Sequence, residues 1–287
     1  MVSSTTSEVR SASRPFLKWP GGKQWIAKAI VDAVKWSGKG TYFEPFLGGG
    51  SLFFAMDPTT ARLSDSNTDL MICYRAVRDY AEPVIAHLSR LSHDRSTFDR
   101  IRKSRPTSVV ERAVRFIYLN KTAFNGMYRV NRNGEFNVPF GDFRNPSICQ
   151  PDRLRRASAT LQGATVRTSR YASALTDVRS GDFVYLDPPY VTGHNNNGFI
   201  KYNRRLFSWD DQISLADSAK RLRKLGATVV ITNAAHDDVL DLYADFYYLI
   251  VDRQSRIGGG NQFRGVVSEA VLCSKPFVLD PPRIERL

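Results

Sequence analysis

The chain has 287 residues, 42% of them hydrophobic, and a formal net charge of +13. That length suits one large or two modest domains with a sizeable core, and no apolar run approaches the ~20 residues that span a bilayer. Three widely spaced cysteines (Cys73, Cys149, Cys273) and four histidines (His87, His93, His194, His236) form no C-x-x-C pair or metal-ligand spacing. This argues against a disulfide framework, a zinc cluster or any metal, and for a reducing cytoplasm.

The charge is unevenly placed. Between Arg95 and Arg156 there are 14 Lys/Arg against 5 Asp/Glu, so most of the excess sits in one segment. A concentrated basic face suits a polyanion, and nucleic acid is the favoured partner; a solvated basic surface is the competing reading.

Residues 1–14 are polar, lack the apolar core of a signal peptide and read as a loose tail. Phe16-Leu17-Lys18-Trp19-Pro20-Gly21-Gly22-Lys23 opens the ordered part. Its glycines suit close backbone approach to a ligand, without P-loop spacing, and a helix is expected to run from here to near Gly38. A strand, Thr41–Glu44, leads into Pro45-Phe46-Leu47-Gly48-Gly49-Gly50-Ser51 and an apolar helix start at Leu52. Strand, glycine loop and helix make a nucleotide-binding half-unit. A second strand, Ala61–Ser64, ends in Asp65, 17 residues after Gly48. Such folds place the acid that grips ribose hydroxyls about there. Two readings compete: a dinucleotide-dependent dehydrogenase, although the loop departs from G-x-G-x-x-G, and an ordinary glycine turn with a helix-capping Asp.

From Thr68 to Leu161 the pattern is helical and arginine-rich, and residues 120–141 within it are turn-rich, with arginines alternating with aromatics. This predicts a hairpin presenting both to a ligand. Arginine reads guanine edges, and an aromatic fills the gap left by an extruded base. A hairpin with solvated arginines is the plain alternative. A returning strand is expected at Ala164–Arg167.

The β-rich run Phe183–Leu186 then ends abruptly in Asp187-Pro188-Pro189-Tyr190. Prolines forbid continuation of the ladder and fix the backbone at the carboxyl end of a strand, where open α/β sheets bind ligands. Asp187 and the Pro188 carbonyl would present two hydrogen-bond acceptors beside the Tyr190 ring. That trio matches an exocyclic amino group on a flat base; the bland reading is a proline turn capped by Asp187. Beyond it, Gly193–Gly198 reads as a mobile loop, and Phe199 and Tyr202 are expected to close over the base. Ser208 and Asp211 form a capping box for a helix running towards Gly226, followed by a buried strand at Ala227–Thr232. Phe246–Val251 and Val266–Leu272 are expected to form an antiparallel hairpin, with Gly258-Gly259-Gly260 in the connection.

Five blocks now stand in order: F-L-K-W-P-G-G-K (16–23), E-P-F-L-G-G-G-S (44–51), the acid of S-D-S-N (64–67), Y-L-N-K-T-A-F-N-G-M-Y-R-V-N-R-N-G-E-F-N-V-P-F-G (118–141) and D-P-P-Y (187–190). Together they resemble the Dam-like (D12 class, alpha-group) DNA adenine-N6 methyltransferases, whose recognition domain lies between cofactor and catalytic motifs. The resemblance implies an α/β fold with a Rossmann-like mixed sheet and a mostly helical inserted DNA-recognition domain carrying a β-hairpin. The expected division is a flexible tail at 1–14, a catalytic domain at 15–67 and 162–287, and a target recognition domain at 68–161.

It also implies methyl transfer from S-adenosylmethionine to a flipped-out adenine in duplex DNA, with GATC as the expected site. Asp187, Pro188 and Tyr190 would be catalytic. Trp19, Lys23, Glu44, Pro45, Phe46, Gly48, Gly50, Asp65 and Asp187 would hold the cofactor. Lys18, Phe124, Asn125, Met127, Arg129, Asn137, Pro139 and Arg144 would contact DNA, Lys18 on the first guanine and Arg129 on another. Phe124 stands where relatives often carry a Tyr, and Asp142 interrupts the basic stretch before Arg144. The expected partner is double-stranded DNA, with a cognate restriction endonuclease allowed but not in direct contact, in a cytoplasmic, nucleoid-associated setting. The rivals are methylation of cytosine N4 or RNA, and a catalytically dead DNA-binding relative.

Overall fold

The computed structural model describes residues 13–131, 133–141, 143–144, 146–191, 207–254 and 266–279. The tail through residue 12, Asp142, the 193–198 loop, Phe199, Tyr202 and the 258–260 glycines lie outside the described residues.

Short runs of β-branched and aromatic residues form β1 (Tyr42–Glu44), β2 (Ala61–Asp65), β3 (Ala164–Thr168), β4 (Phe183–Leu186), β5 (Thr228–Ala234), β6 (Tyr247–Gln254) and β7 (Val266–Cys273). They make one sheet in the order β3-β2-β1-β4-β5-β7-β6. The first five are parallel, while β7 runs antiparallel to both β5 and β6. The hairpin expected near the carboxyl end of the chain is therefore present, slotted with β7 inside and β6 at the edge.

Along β4 successive side chains point to opposite faces. Phe183 and Tyr185 join one core, with β1, β2 and the helices that follow them, whereas Val184 and Leu186 join a second. A sheet buried on both sides needs apolar residues at consecutive positions, and β1 and β4 are buried throughout. The chain winds outward from β1 through β2 to β3, then restarts at β4 on the other side. The strand order thus reverses between β1 and β4, which makes a crevice at their carboxyl ends.

Helix α1 (Ala27–Val34) precedes β1, and α2 (Ser51–Met56) follows it. The first stops short of Gly38 because Lys35 adopts a left-handed conformation (φ 47°) that ends the helix. Between β2 and β3 come α3 (Thr68–Asp79), α4 (Ala81–Leu88), α5 (Arg95–Lys103), α6 (Val109–Thr122) and α7 (Pro151–Leu161). Their buried faces are continuous with the core under β1 and β2. Among the described residues the remaining helices are α8 (Tyr171–Ala174), α9 (Trp209–Leu225) and α10 (Asp237–Leu242). Ser208 and Asp211 cap α9 reciprocally, and Gly226 closes it at φ 93°. No described helix is long and apolar enough to cross a membrane.

Among the described residues of 120–141 the expected hairpin forms as short antiparallel pieces, with Asn131 N–H bonded to the Glu135 carbonyl (2.8 Å) and Asn137 N–H to the Arg129 carbonyl (3.1 Å). Two isolated antiparallel bridges, Ala123–Phe140 and Val130–Phe136, close the loop, and a 3-10 turn (Phe124–Gly126) interrupts one arm. Left-handed backbone at Asn125 (φ 53°) and Gly126 (φ 65°) breaks strand geometry there. Aromatic packing reinforces these backbone pairs. Tyr128 lies against Phe116 (ring centroids 4.0 Å) and Phe136, and Phe98 packs edge-on to Phe140.

Candidate active site and DNA-binding face

Three acids end neighbouring strands at the crevice: Glu44 on β1, Asp65 on β2 and Asp187 just after β4. Burial raises the Glu44 carboxyl well above its ordinary pKa; the Tyr42 hydroxyl, donating at 2.7 Å, opposes this, and the charges of Asp187 and Asp65 add to it. Asp65 accepts from the backbone N–H groups of Gly48 (3.1 Å) and Asn67 (2.9 Å), tying the second strand to the glycine loop. Burial raises its pKa despite these bonds. The helix-capping role belongs to Asn67, whose side chain accepts from Leu70 N–H.

The glycine loop runs under Trp19. A Cβ at Gly48 would lie 2.7 Å from the indole, so only glycine lets loop and ring approach so closely. Gly48 and Gly50 also have left-handed backbone (φ 46° and 66°). Phe46, half-buried beside this loop, stacks on Tyr171 at 5.4 Å and meets Phe207 edge-on at 5.7 Å. Neither Tyr171 nor Phe207 carries a local motif.

At the D-P-P-Y corner, Thr232 donates to Asp187 Oδ1 at 2.7 Å, Tyr190 approaches the same oxygen at 3.4 Å, and Lys23 Nζ pairs with it at 3.0 Å. Burial raises the Asp187 pKa; Lys23 and the Thr232 hydrogen bond pull it down. The Lys23 ammonium bonds the Gly21 carbonyl, lies 3.6 Å from Glu269 on β7, and sits 4.9 Å from the Tyr190 ring centre. Glu269 in turn accepts from the Tyr190 hydroxyl at 3.0 Å and pairs with Arg253. The sequence reading overlooked Thr232, Glu269 and Arg253. One signal was available: Glu269 is the lone charged residue in the run Val266–Cys273.

On the loop 124–144 the exposed side chains are informative. Phe124 (44% exposed), Asn125, Arg129, Asn137, Pro139 and Arg144 face outward, while Phe136 and Val138 are buried and Met127 is half-buried. Arg129 Nε donates to Asn137 Oδ1 at 2.9 Å, so two expected DNA contacts orient one another. Lys18 is also exposed, its ammonium 4.4 Å from the Phe143 ring centre. Beside it lies an open cleft lined by Lys18, Lys121, Phe143, Arg144, Gln150 and Arg153. Here Lys121 is buried in the last turn of α6, and burial followed by the charges of Arg153 and Lys18 lowers its pKa to about 8. Among the described residues, no group of three or more His, Cys, Asp or Glu is placed to hold a metal ion.

A parallel sheet with a reversed seventh strand, acids ending β1, β2 and β4, and D-P-P-Y at the switch point define a methyltransferase of the Rossmann-like class. Residues 19–257 match the family described as D12 class N6 adenine-specific DNA methyltransferase, and the chain belongs to that family. Relatives agree along nearly the whole length. The chain is 33% identical over 271 residues to the type II methyltransferase M1.LlaDCHI of Lactococcus lactis subsp. cremoris, covering 91% of this chain and 95% of that protein. It is 34% identical over 256 residues to the type II methyltransferase M.MjaIII of Methanocaldococcus jannaschii, covering 81% and 89%. Against the DNA adenine methylase of Escherichia coli (strain K12) it is 30% identical over 280 residues, covering 94% and 99%. The chain is a site-specific DNA adenine-N6 methyltransferase.

Proposed function

We propose that the corner at Asp187 transfers the methyl group of S-adenosylmethionine to an adenine swung out of duplex DNA, with GATC as the recognised sequence. The observation that carries this reading is the one-sided tethering of Asp187: Thr232, Tyr190 and Lys23 all approach Oδ1. Among the described residues no hydrogen bond reaches Oδ2, leaving it to accept from the target amino group, with the Pro188 carbonyl as the second acceptor.

The N6 lone pair is delocalised into the purine ring, and an Asp is too weak a base to deprotonate the amino group outright. Accepting both N–H bonds draws the nitrogen towards tetrahedral geometry and stabilises the positive charge that develops on it. No covalent enzyme intermediate is needed: as N6 gains the methyl, the sulfonium–methyl bond would break to leave a neutral thioether, and the cationic N6, now strongly acidic, would pass its proton to Asp187. Tyr190 stacks on the extruded base, which an intact duplex would hide.

The acids fit the cofactor. Bound S-adenosylmethionine supplies an electrophilic methyl on a sulfonium centre and also carries an ammonium group. Glu44, Asp65 and Asp187 converge as hydrogen-bonding acids, close enough for Asp65 and Asp187 to act on Glu44. Trp19, Pro45, Phe46, Gly48 and Gly50 form the wall of that pocket, and Asp65 takes the ribose with lone pairs its amide bonds leave free. Lys23 belongs to the acceptor side, steadying Asp187.

Residues 68–161 serve as the recognition unit. Arg129 reads a guanine, Lys18 the first guanine, and Phe124 fills the space the adenine leaves. Met127 and Pro139 pack on base edges, Asn125 and Asn137 contact the DNA beside them, and Arg144 and the cleft with Lys121 and Arg153 face the phosphates. The names of DNA adenine methylase relatives support DNA as the substrate. A nucleoid-associated, cytoplasmic enzyme, with or without a cognate endonuclease, is consistent with the type II relatives.

The test is labelled methyl transfer to defined duplexes followed by mapping of the modified base. Wild-type protein should mark the adenine of GATC, and Asp187→Ala should lose at least ~10²-fold in turnover while staying folded. Substantial activity in that variant would remove Asp187 from the chemistry.

A further inference from the structure

We propose that Glu269 is a positioning residue for methyl transfer, holding the Tyr190 ring in its stacking orientation and sharing Lys23 with Asp187. The inference rests on the reading of Asp187 and Tyr190 given above, and extends it to the antiparallel strand.

Glu269 is 2% exposed and lies on β7, opposite Ala234 of β5 on one side and Val251 of β6 on the other. A buried carboxylate in a sheet core is costly unless it is paired and hydrogen-bonded. Glu269 is both. One oxygen pairs with Arg253, diagonally placed on β6; the other accepts from the Tyr190 hydroxyl at 3.0 Å and faces Lys23 at 3.6 Å. Asp187, Glu269, Lys23 and Arg253 thus form a balanced quartet of two anions and two cations around one tyrosine.

Two consequences follow for the reaction. The Tyr190 ring is pinned at its far end, so its plane is set before the base arrives. Lys23 is divided between two carboxylates, so Asp187 keeps more of its acceptor strength than in an exclusive ion pair. Without the Glu269 charge, Lys23 would pair with Asp187 alone, and the Tyr190 hydroxyl would donate to a weaker, neutral acceptor at its far end.

The experiment is single-turnover methylation of a duplex, with cofactor and DNA affinities measured separately. A parallel duplex carries 2-aminopurine at the target position to report base stacking. Glu269→Gln should slow the single-turnover rate constant about 10- to 100-fold. Both affinities should stay within about threefold of wild type, and the 2-aminopurine emission should rise as stacking loosens. Tyr190→Phe, which keeps the ring and removes the hydroxyl that donates to Glu269, should slow the same step, and adding Glu269→Gln to it should cost much less than in wild type. A wild-type rate constant in Glu269→Gln, or an undiminished loss in the Tyr190→Phe background, would overturn the proposal. So would lost affinity with unchanged chemistry. If Glu269→Gln does not fold, Tyr190→Phe decides alone: an unchanged rate and emission would refute it. Asp187→Ala is run alongside. Activity there would sink the catalytic reading itself, whereas an inactive Asp187→Ala with a normal Glu269→Gln would sink only this inference.

Discussion

Asn120 grips the main chain of Lys18 with both ends of its amide. Its Oδ1 accepts from Lys18 N–H at 2.9 Å, and its Nδ2 donates to the Lys18 carbonyl at 2.7 Å and to the Gly126 carbonyl at 2.8 Å. The side chain is fully buried at the end of α6. It therefore sets the position of the loop before α1 relative to the loop that follows α6. Gly126 completes the fit, because a Cβ there would lie 2.6 Å from Lys18 Cδ.

Asn120→Ala leaves the Lys18 N–H and two carbonyls without their buried partner. The expected loss of stability is on the order of 3 kcal/mol, measured by denaturant unfolding. Discrimination against duplexes altered at the first guanine should fall as well, because Lys18 would lose its fixed origin. Unchanged discrimination in a folded variant would separate Lys18 from base reading.

Replacing Lys23 by Met removes the cation shared by two buried carboxylates, an uncompensated change worth roughly 3 kcal/mol of stability. The pH behaviour follows from Asp187, whose pKa burial raises. Between the ordinary and the raised value the folded chain keeps a proton that the unfolded chain has released. This group's contribution to stability is therefore present at lower pH and is lost as pH rises through that window. The anionic acceptor exists only above the raised value, so turnover should fall as pH drops through it. Lys23 holds that value down, and Lys23→Met should move the acid limb of the kcat profile to higher pH. A limb that stays in place would assign the titration to another group.

For Lys121 the sign is reversed. With a pKa of about 8, it is charged in the folded chain only below that point. Between there and the unfolded value of about 10.4 the unfolded chain binds the extra proton, so the destabilisation this lysine causes is relieved as pH rises. DNA affinity should behave oppositely, weakening as pH climbs through about 8 and the charge is lost. Lys121→Met should flatten that dependence and reduce the slope of log affinity against log salt by about 0.9. Titration of duplex binding at several pH values and salt concentrations checks both.

Arg129→Ala should relax preference at one guanine by ~1–3 kcal/mol, with the affinity for unrelated duplexes much less affected. Competition between GATC and singly substituted duplexes measures it. A uniform loss across all sequences would make Arg129 a phosphate contact. Asn137→Ala should show a weaker version of the same phenotype, since Asn137 fixes Arg129 Nε.

The sequence by itself determined the elements whose physics is local. Strand runs, the glycine loop, the capping box at Ser208 and Asp211, and the proline stop after Leu186 are each written in consecutive residues, and the structure forms them there. Most of the contacts expected on the 124–144 loop (Phe124, Asn125, Arg129, Asn137, Pro139 and Arg144) do lie on its exposed side, whereas Met127 is half-buried. Only the tertiary structure decided which distant residues meet. Thr232 and Glu269 lie 45 and 79 residues from their partners at Asp187 and Tyr190, and Asn120 lies 102 from Lys18. No spacing rule encodes such pairs; sheet order and register create them. The expected hairpin is likewise present as two antiparallel bridges and not as a regular ladder, because left-handed backbone at Asn125 and Gly126 interrupts one arm, a detail that Asn-Gly turns and alternation do not encode.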